Sequence, residues 1–257
     1  MTPHTFAPKS LIVVSKQIAT VRLSEIDELE ARMGIAMPPG YADLLTTYGE
    51  GTVCNELNLW APARIRASID EARTMWAEDW FWEHPDLAQA DFAAGVPVGD
   101  SANGDQLVLI PERGLVMLPR HSDDAIEVGA SYTDAVHWFC TSGRLVAACS
   151  VLWFESWAPL RYYESWRGKG PSRVRDAVAA VDLHVAQDGL HSKVRTFLIP
   201  AIGGGVVVAE TFGGDDVHVD VCFEPGCMPT YARIEAALLA VGAIRVSRWS
   251  SDPTERV

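Results

Sequence analysis

Hydrophobic positions fall into helical spacing twice near the start of the chain. In residues 24–33, Ile26, Leu29 and Met33 share a face and Gly34 ends the run. Ser24 stands where an N-cap would, with Asp27 as the acidic half of a capping box. After a turn at Met37-Pro38-Pro39-Gly40, residues 41–48 put Tyr41, Leu44, Leu45 and Tyr48 on one side and close on Gly49 and Gly51. The period then changes. Leu57, Leu59 and Trp60 read as a strand entering a loop at Ala61-Pro62-Ala63, and residues 68–84 as a helix with Ile69, Ala72, Trp76 and Trp80 along one side.

Short strands follow. Residues 96–98, 106–110 and 115–118 form a three-stranded meander. Its first turn holds Asn103-Gly104, the strongest two-residue hairpin signal, with Gly104 at the positive φ of a type I′ turn. Residues 131–139 close the unit as an amphipathic helix capped by Ser131, with Tyr132, Ala135, Val136 and Phe139 on one face.

The remainder has another texture. Residues 161–175 are basic and carry Gly and Pro, reading as a linker or long loop, and residues 176–188 read as a helix. Strands are expected at 194–199, 206–210 and 217–223, a helix at 228–241 and a last strand at 243–246. The pattern predicts an α+β protein in two parts, residues 1–150 and 151–257, the second smaller.

At 257 residues the chain can bury a core without disulfides or metal. Five cysteines at irregular spacing suggest no disulfide framework and a reducing compartment. The apolar run Leu11-Ile12-Val13-Val14 is too short for a signal-peptide core or a bilayer span, so a cytoplasmic, soluble protein is expected, with no membrane partner.

Charge adds an asymmetry. The formal net charge is −13, of which residues 1–150 carry −11 and residues 151–257 carry −2. Such a field repels phosphate backbones, which argues against nucleic acid, and steers basic proteins. Between Asp70 and Asp105 nine acidic residues stand against one basic residue, Arg73, interleaved with Trp76, Trp80, Phe81 and Trp82. Trp76 and Trp80 lie four apart and pack together on one helix face. Trp82 points elsewhere and stays at the surface unless another element covers it. Interfaces favour tryptophan anchors inside acidic rims, so the candidate partner-binding residues are Asp79, Trp82, Glu83, Asp86, Asp100 and Asp105. An exposed Trp82 would tolerate Ala within about 1 kcal/mol.

Other chemistry is thinner. His137 and Cys140 could touch on a helix, but Trp138 and Phe139 beside them argue for burial, not for an activated thiol. His218, Cys222 and Cys227 lack a fourth zinc ligand. Asp100, Asn103 and Asp105 lack the spacing of a calcium loop, and Gly203-Gly204-Gly205 leads into a β-branched run where a phosphate cradle needs a helix. Neither enzyme, metal nor cofactor is expected.

The first part also resembles a known family. The run Ile26-Asp27-Glu28-Leu29-Glu30 is followed by Met37-Pro38 with Tyr41, Leu44, Leu45 and Gly49. A second block spans residues 96–105 with Leu107 and Leu109, and a third joins Gly114 and Val116 to Ala130-Ser131-Tyr132. In order and spacing, residues 22–142 resemble the SUKH superfamily, which includes fungal Smi/Knr cell-wall regulators and many bacterial immunity proteins. Met37 replaces the family's Leu, and the segment between Trp60 and Phe92 is long and tryptophan-rich. The resemblance implies an antiparallel sheet with flanking helices. It also implies a non-catalytic binding protein, an immunity protein that neutralises a basic toxin, a nuclease being one fit. The alternative is a regulatory scaffold with a second partner site in the C-terminal part.

Overall fold

A computed structural model describes residues 11–78, 81–181, 185–188, 193–211 and 214–251. The chain divides into two compact units, each of mixed α and β structure. Of the described residues, the first unit holds Leu11 and Ala19–Val146; the second holds Ile12–Ile18 and the chain from Ala147 onward.

The first described strand, β1 (Ile12–Val13), belongs to the second unit. The first unit then begins with α1 (Leu23–Met33) and α2 (Tyr41–Tyr48). Strands β2 (Gly51–Val53) and β3 (Leu57–Leu59) form a hairpin, followed by α3 (Pro62–Glu78) and the short α4 (Gln89–Ala93). A meander follows, β4 (Val96–Ser101), β5 (Gln106–Ile110), β6 (Gly114–Leu118) and β7 (Ile126–Gly129), then α5 (Tyr132–Thr141). The six strands β2 to β7 lie side by side in chain order, all antiparallel.

Local chemistry explains where this departs from the pattern. Ser24 caps nothing: α1 starts from Arg22, because the Val21 amide is tied to the Leu45 carbonyl at 3.0 Å and sets the entry of the chain. Helix α3 begins at Pro62, six residues before the predicted start; proline suits the first helical turn, whose amides lack partners anyway. The hairpin at Asn103-Gly104 is not type I′. The Gly104 amide bonds the Ser101 carbonyl and the Ser101 amide bonds the Asp105 carbonyl, a three-residue loop in which Gly104 alone takes positive φ, +90°. Ser131 does cap α5, its Oγ accepting the Asp134 amide at 3.0 Å.

The three sequence blocks quoted above meet in space. The Tyr132 amide donates to the Pro39 carbonyl at 2.8 Å, and its ring meets Tyr41 edge-on at 5.1 Å. The Tyr132 hydroxyl donates to the Val98 carbonyl and the Tyr41 hydroxyl to that of Trp60. Two buried tyrosines thus tie α2, α5, β4 and the chain after β3 through backbone acceptors, so both of their hydroxyls are satisfied.

The second unit holds β8 (Trp153–Ser156), β9 (Tyr162–Lys169), α6 (Pro171–Ala179), β10 (Val185–Asp188), β11 (Val194–Ile199), β12 (Gly204–Glu210), β13 (Asp216–Phe223), α7 (Met228–Ala240) and β14 (Ile244–Ser250). Strand β1 runs parallel to β8, with Ile12 and Val14 amides on the Leu152 and Phe154 carbonyls. Those bonds are why residues 12–18 leave the predicted 1–150 part. The other strands form an antiparallel sheet in the order β10-β11-β12-β13-β9-β14.

Residues 161–175 are therefore no linker. They supply β9, between β13 and β14, and the start of α6. Tyr162, Glu164 and Trp166 turn to one face while Arg167 and Lys169 are exposed, an alternation that the run of basic residues obscures. The predicted helix at 176–188 is really the end of α6 followed by β10. Val174, Val178, Tyr231, Ile234 and Leu238 from the two helices pack with Trp166, Phe197, Val206, Val208, Val219, Val221 and Phe223 from alternate strand positions. No described helix is long and apolar enough to cross a membrane.

Candidate functional site: an acidic rim around Phe81

The acidic, aromatic segment splits into two fates. Trp82 is covered after all: it is 6% exposed and packs with Trp76, Leu87, Phe92, Val108, Ile110, Val116, Leu118 and Ala125. Its Nε1 donates to the Pro119 carbonyl at 2.7 Å. The covering element, the chain around Pro119, lies 37 residues away in sequence. Trp82 is core, not contact surface.

The hairpin carboxylates are also engaged. Asp105 is buried, accepting the Ser101 hydroxyl at 2.6 Å and the Arg120 amide at 2.9 Å. Asp100 is half-buried, accepting Trp60 Nε1 at 2.6 Å and facing Arg64 at 3.5 Å. Both brace the fold; Asp105 is buried, while the Asp100 side chain keeps 26% of its surface exposed. Burial pushes the nearby Glu50 carboxyl up, against the pull of Arg64, and pushes Glu56 up with help from Asp105.

Glu83 and Asp86 do remain at the surface, and Asp79 and Trp80, the latter expected beside Trp76, lie outside the described residues. The structure adds what the sequence does not place beside them. The Glu83 amide bonds the Asp123 carbonyl at 2.5 Å, and the Ala125 amide bonds the Glu83 carbonyl at 3.0 Å, a bridge pairing Glu83 with Asp124. Asp123 and Asp124 therefore stand beside Glu83, all exposed. None of Glu83, Asp86, Asp123 and Asp124 makes an ion pair among the described residues, whereas the neighbouring Glu127 meets Arg113 at 3.4 Å and His84 at 3.9 Å. Phe81 packs at a 30° tilt against the Trp82 ring, centroids 4.1 Å apart, and stays 50% exposed.

The patch thus joins a half-exposed phenyl ring packed on a buried indole to four exposed carboxylates without ion pairs, two near it in the chain and two brought to Glu83 by the bridge. No family model, no curated protein and no solved structure matches the chain.

The remaining constellations stay apart. Cys140 is buried among Val136 and Phe139, and His137 Nδ1 faces Thr141 Oγ1 at 3.4 Å. His218 and Cys222 share a face of β13, but His218 Nε2 meets Asp220 at 3.1 Å while Cys222 receives Arg161. Burial raises the Cys222 thiol to about 11, so it is protonated and a poor nucleophile or ligand at neutral pH. Among the described residues no three His, Cys, Asp or Glu side chains converge as metal ligands.

Proposed function

We propose that the first unit is a non-catalytic, SUKH-like protein-binding module, acting in the cytoplasm as an immunity protein that neutralises a basic toxin. The observation that carries this reading is the patch: four exposed carboxylates without ion pairs, gathered by the Glu83–Asp124 bridge, and a half-exposed Phe81 packed on Trp82. Supporting it are the order of the SUKH-like blocks and the convergence of those blocks on Tyr41 and Tyr132. A basic nuclease fits the mechanism, because carboxylates set where it expects phosphates mask its active site while the ring fills an apolar pocket.

Capture from host lysate with the tagged chain, run beside the F81A/E83Q/D124N variant, tests it. A basic protein retained by the parent and lost with the variant is expected, held more weakly as salt rises. Expressed alone, that protein arrests growth, and co-expression of the parent chain, not the variant, restores it. Equal capture by both chains, or a captured set with no toxic member, overturns the reading.

A further inference from the structure

The second unit has a cleft of about 500 Å³ whose lining includes Lys16, Pro159, Leu160, Glu224 and Pro225, within the size range of small-molecule sites. Glu224 is a built feature of it. Glu224 is 4% exposed, its Oε1 accepts the Lys16 amide at 2.6 Å, and its own amide donates to the Ile202 carbonyl at 2.9 Å. A Cβ on Gly203 would come within 2.6 Å of the Glu224 carboxyl group, so glycine is what leaves room for it.

Charge below the cleft does not balance. Arg161, buried, spends its Nη donors on the Gly203 carbonyl, Ser15 Oγ, the Ser156 carbonyl and Cys222, and lies 3.3 Å from Glu155. Glu224 is 4.0 Å from it, at the limit of an ion pair. One guanidinium thus serves two carboxylates; burial pushes Glu155 up, and Glu224 adds to that. Oε2 of Glu224 has no donor among the described residues. Lys16, exposed on the same cleft, pairs with no carboxylate among the described residues.

A carboxylate oxygen without a donor on a nearly buried glutamate, an unpaired ammonium and apolar walls from Pro159, Leu160 and Pro225 together describe a bipolar ligand with an apolar body. We propose that this cleft binds a free apolar α-amino acid, its ammonium on Glu224 Oε2 and its carboxylate at the Lys16 ammonium. The site is independent of the acidic rim in the first unit.

Titration calorimetry on the full chain separates the two halves of the contact with L-leucine, leucinamide (no carboxylate) and N-acetylleucine (no ammonium), followed by phenylalanine and isoleucine. Leucine is expected to bind roughly tenfold or more tightly than either analogue, the size of one charge-assisted hydrogen bond. K16M, at an exposed position, should bind leucine no better than leucinamide while leaving leucinamide unchanged. E224Q, checked for an intact melting transition without ligand, should weaken leucine and leucinamide alike. Absence of binding by any of the three amino acids at millimolar concentration overturns the proposal, as do leucinamide matching leucine on the parent chain or K16M keeping the parent's preference.

Discussion

The two units treat their carboxylates in opposite ways. In the first, the acidic residues that brace the fold, Asp100 and Asp105, accept bonds from a tryptophan, a hydroxyl and a backbone amide, and the others named in the rim face solvent. In the second, Glu164 is fully buried beneath two arginines, with Arg245 Nη1 at 3.2 Å and Arg248 Nε at 3.5 Å, and accepts the Tyr231 hydroxyl. Arg161 adds a second internal charged cluster. The first unit projects its charge as a field; the second spends charge on its own packing. Residues 1–150 carry −11 and residues 151–257 carry −2, and the contrast predicts that salt weakens what the first unit binds more than it loosens the second.

The sharpest way to break the comparison is to test whether the aromatic pair of the first unit divides into core and contact. Trp82→Ala removes a buried indole and the bond to Pro119, and is expected to cost about 3–5 kcal/mol in urea unfolding. Phe81→Ala should cost less than about 1 kcal/mol, the range of exposed positions, and show its effect in partner capture instead. Equal stability losses would mean that Phe81 is packing and would remove the centre of the rim.

This pair also shows how far the sequence could be read. Period and capping placed α2, α5 and the meander, because Tyr41, Leu44 and Ser131 act on neighbours a turn away. Trp82 was misplaced because its cover comes from the Pro119 region, and nothing local to residue 82 announces a partner 37 positions on. Strand β9 was missed for a related reason: its inward Glu164 looks solvent-bound until Tyr231, Arg245 and Arg248, each at least 67 residues later, close over it. Glu83 and Asp86 were legible as surface acids, but Asp123 and Asp124 became their neighbours only through the bridge at Glu83. The Glu224 cleft had no local signal at all, since Lys16 and Glu224 stand 208 residues apart.

The matching test in the second unit is Glu164→Ala. It strands the Tyr231 hydroxyl in the core and leaves Arg245 and Arg248 without their shared anion, at an expected cost of about 3 kcal/mol. The loss should barely change between low and high salt, because the carboxylate it removes is sealed from solvent. Calorimetric melting at the two ionic strengths checks both. A loss that shrinks markedly in salt would place Glu164 among screened surface charges and erase the contrast between the units.

The smallest expected effect sharpens the first unit's side of the contrast. Glu56 is half-buried beside Asp105, and burial, followed by that neighbour, raises its carboxyl above the ordinary glutamate value of about 4.3. A carboxyl whose folded value lies above its unfolded one binds its proton more tightly when folded. Its contribution is therefore most favourable at pH below the unfolded value and is lost as pH rises through the raised folded value. At pH 7 the ionised group costs stability, so Glu56→Gln should stabilise the unit there, by a few tenths to about 1 kcal/mol once solvent screening of a half-exposed group is allowed for. The gain should fall away as pH drops past the folded value and vanish below about 4. Urea titrations of parent and variant across pH 3.5 to 8 read the difference directly. A gain that persists at the acid end would point to the amide's own hydrogen bonds and not to relief of a strained charge.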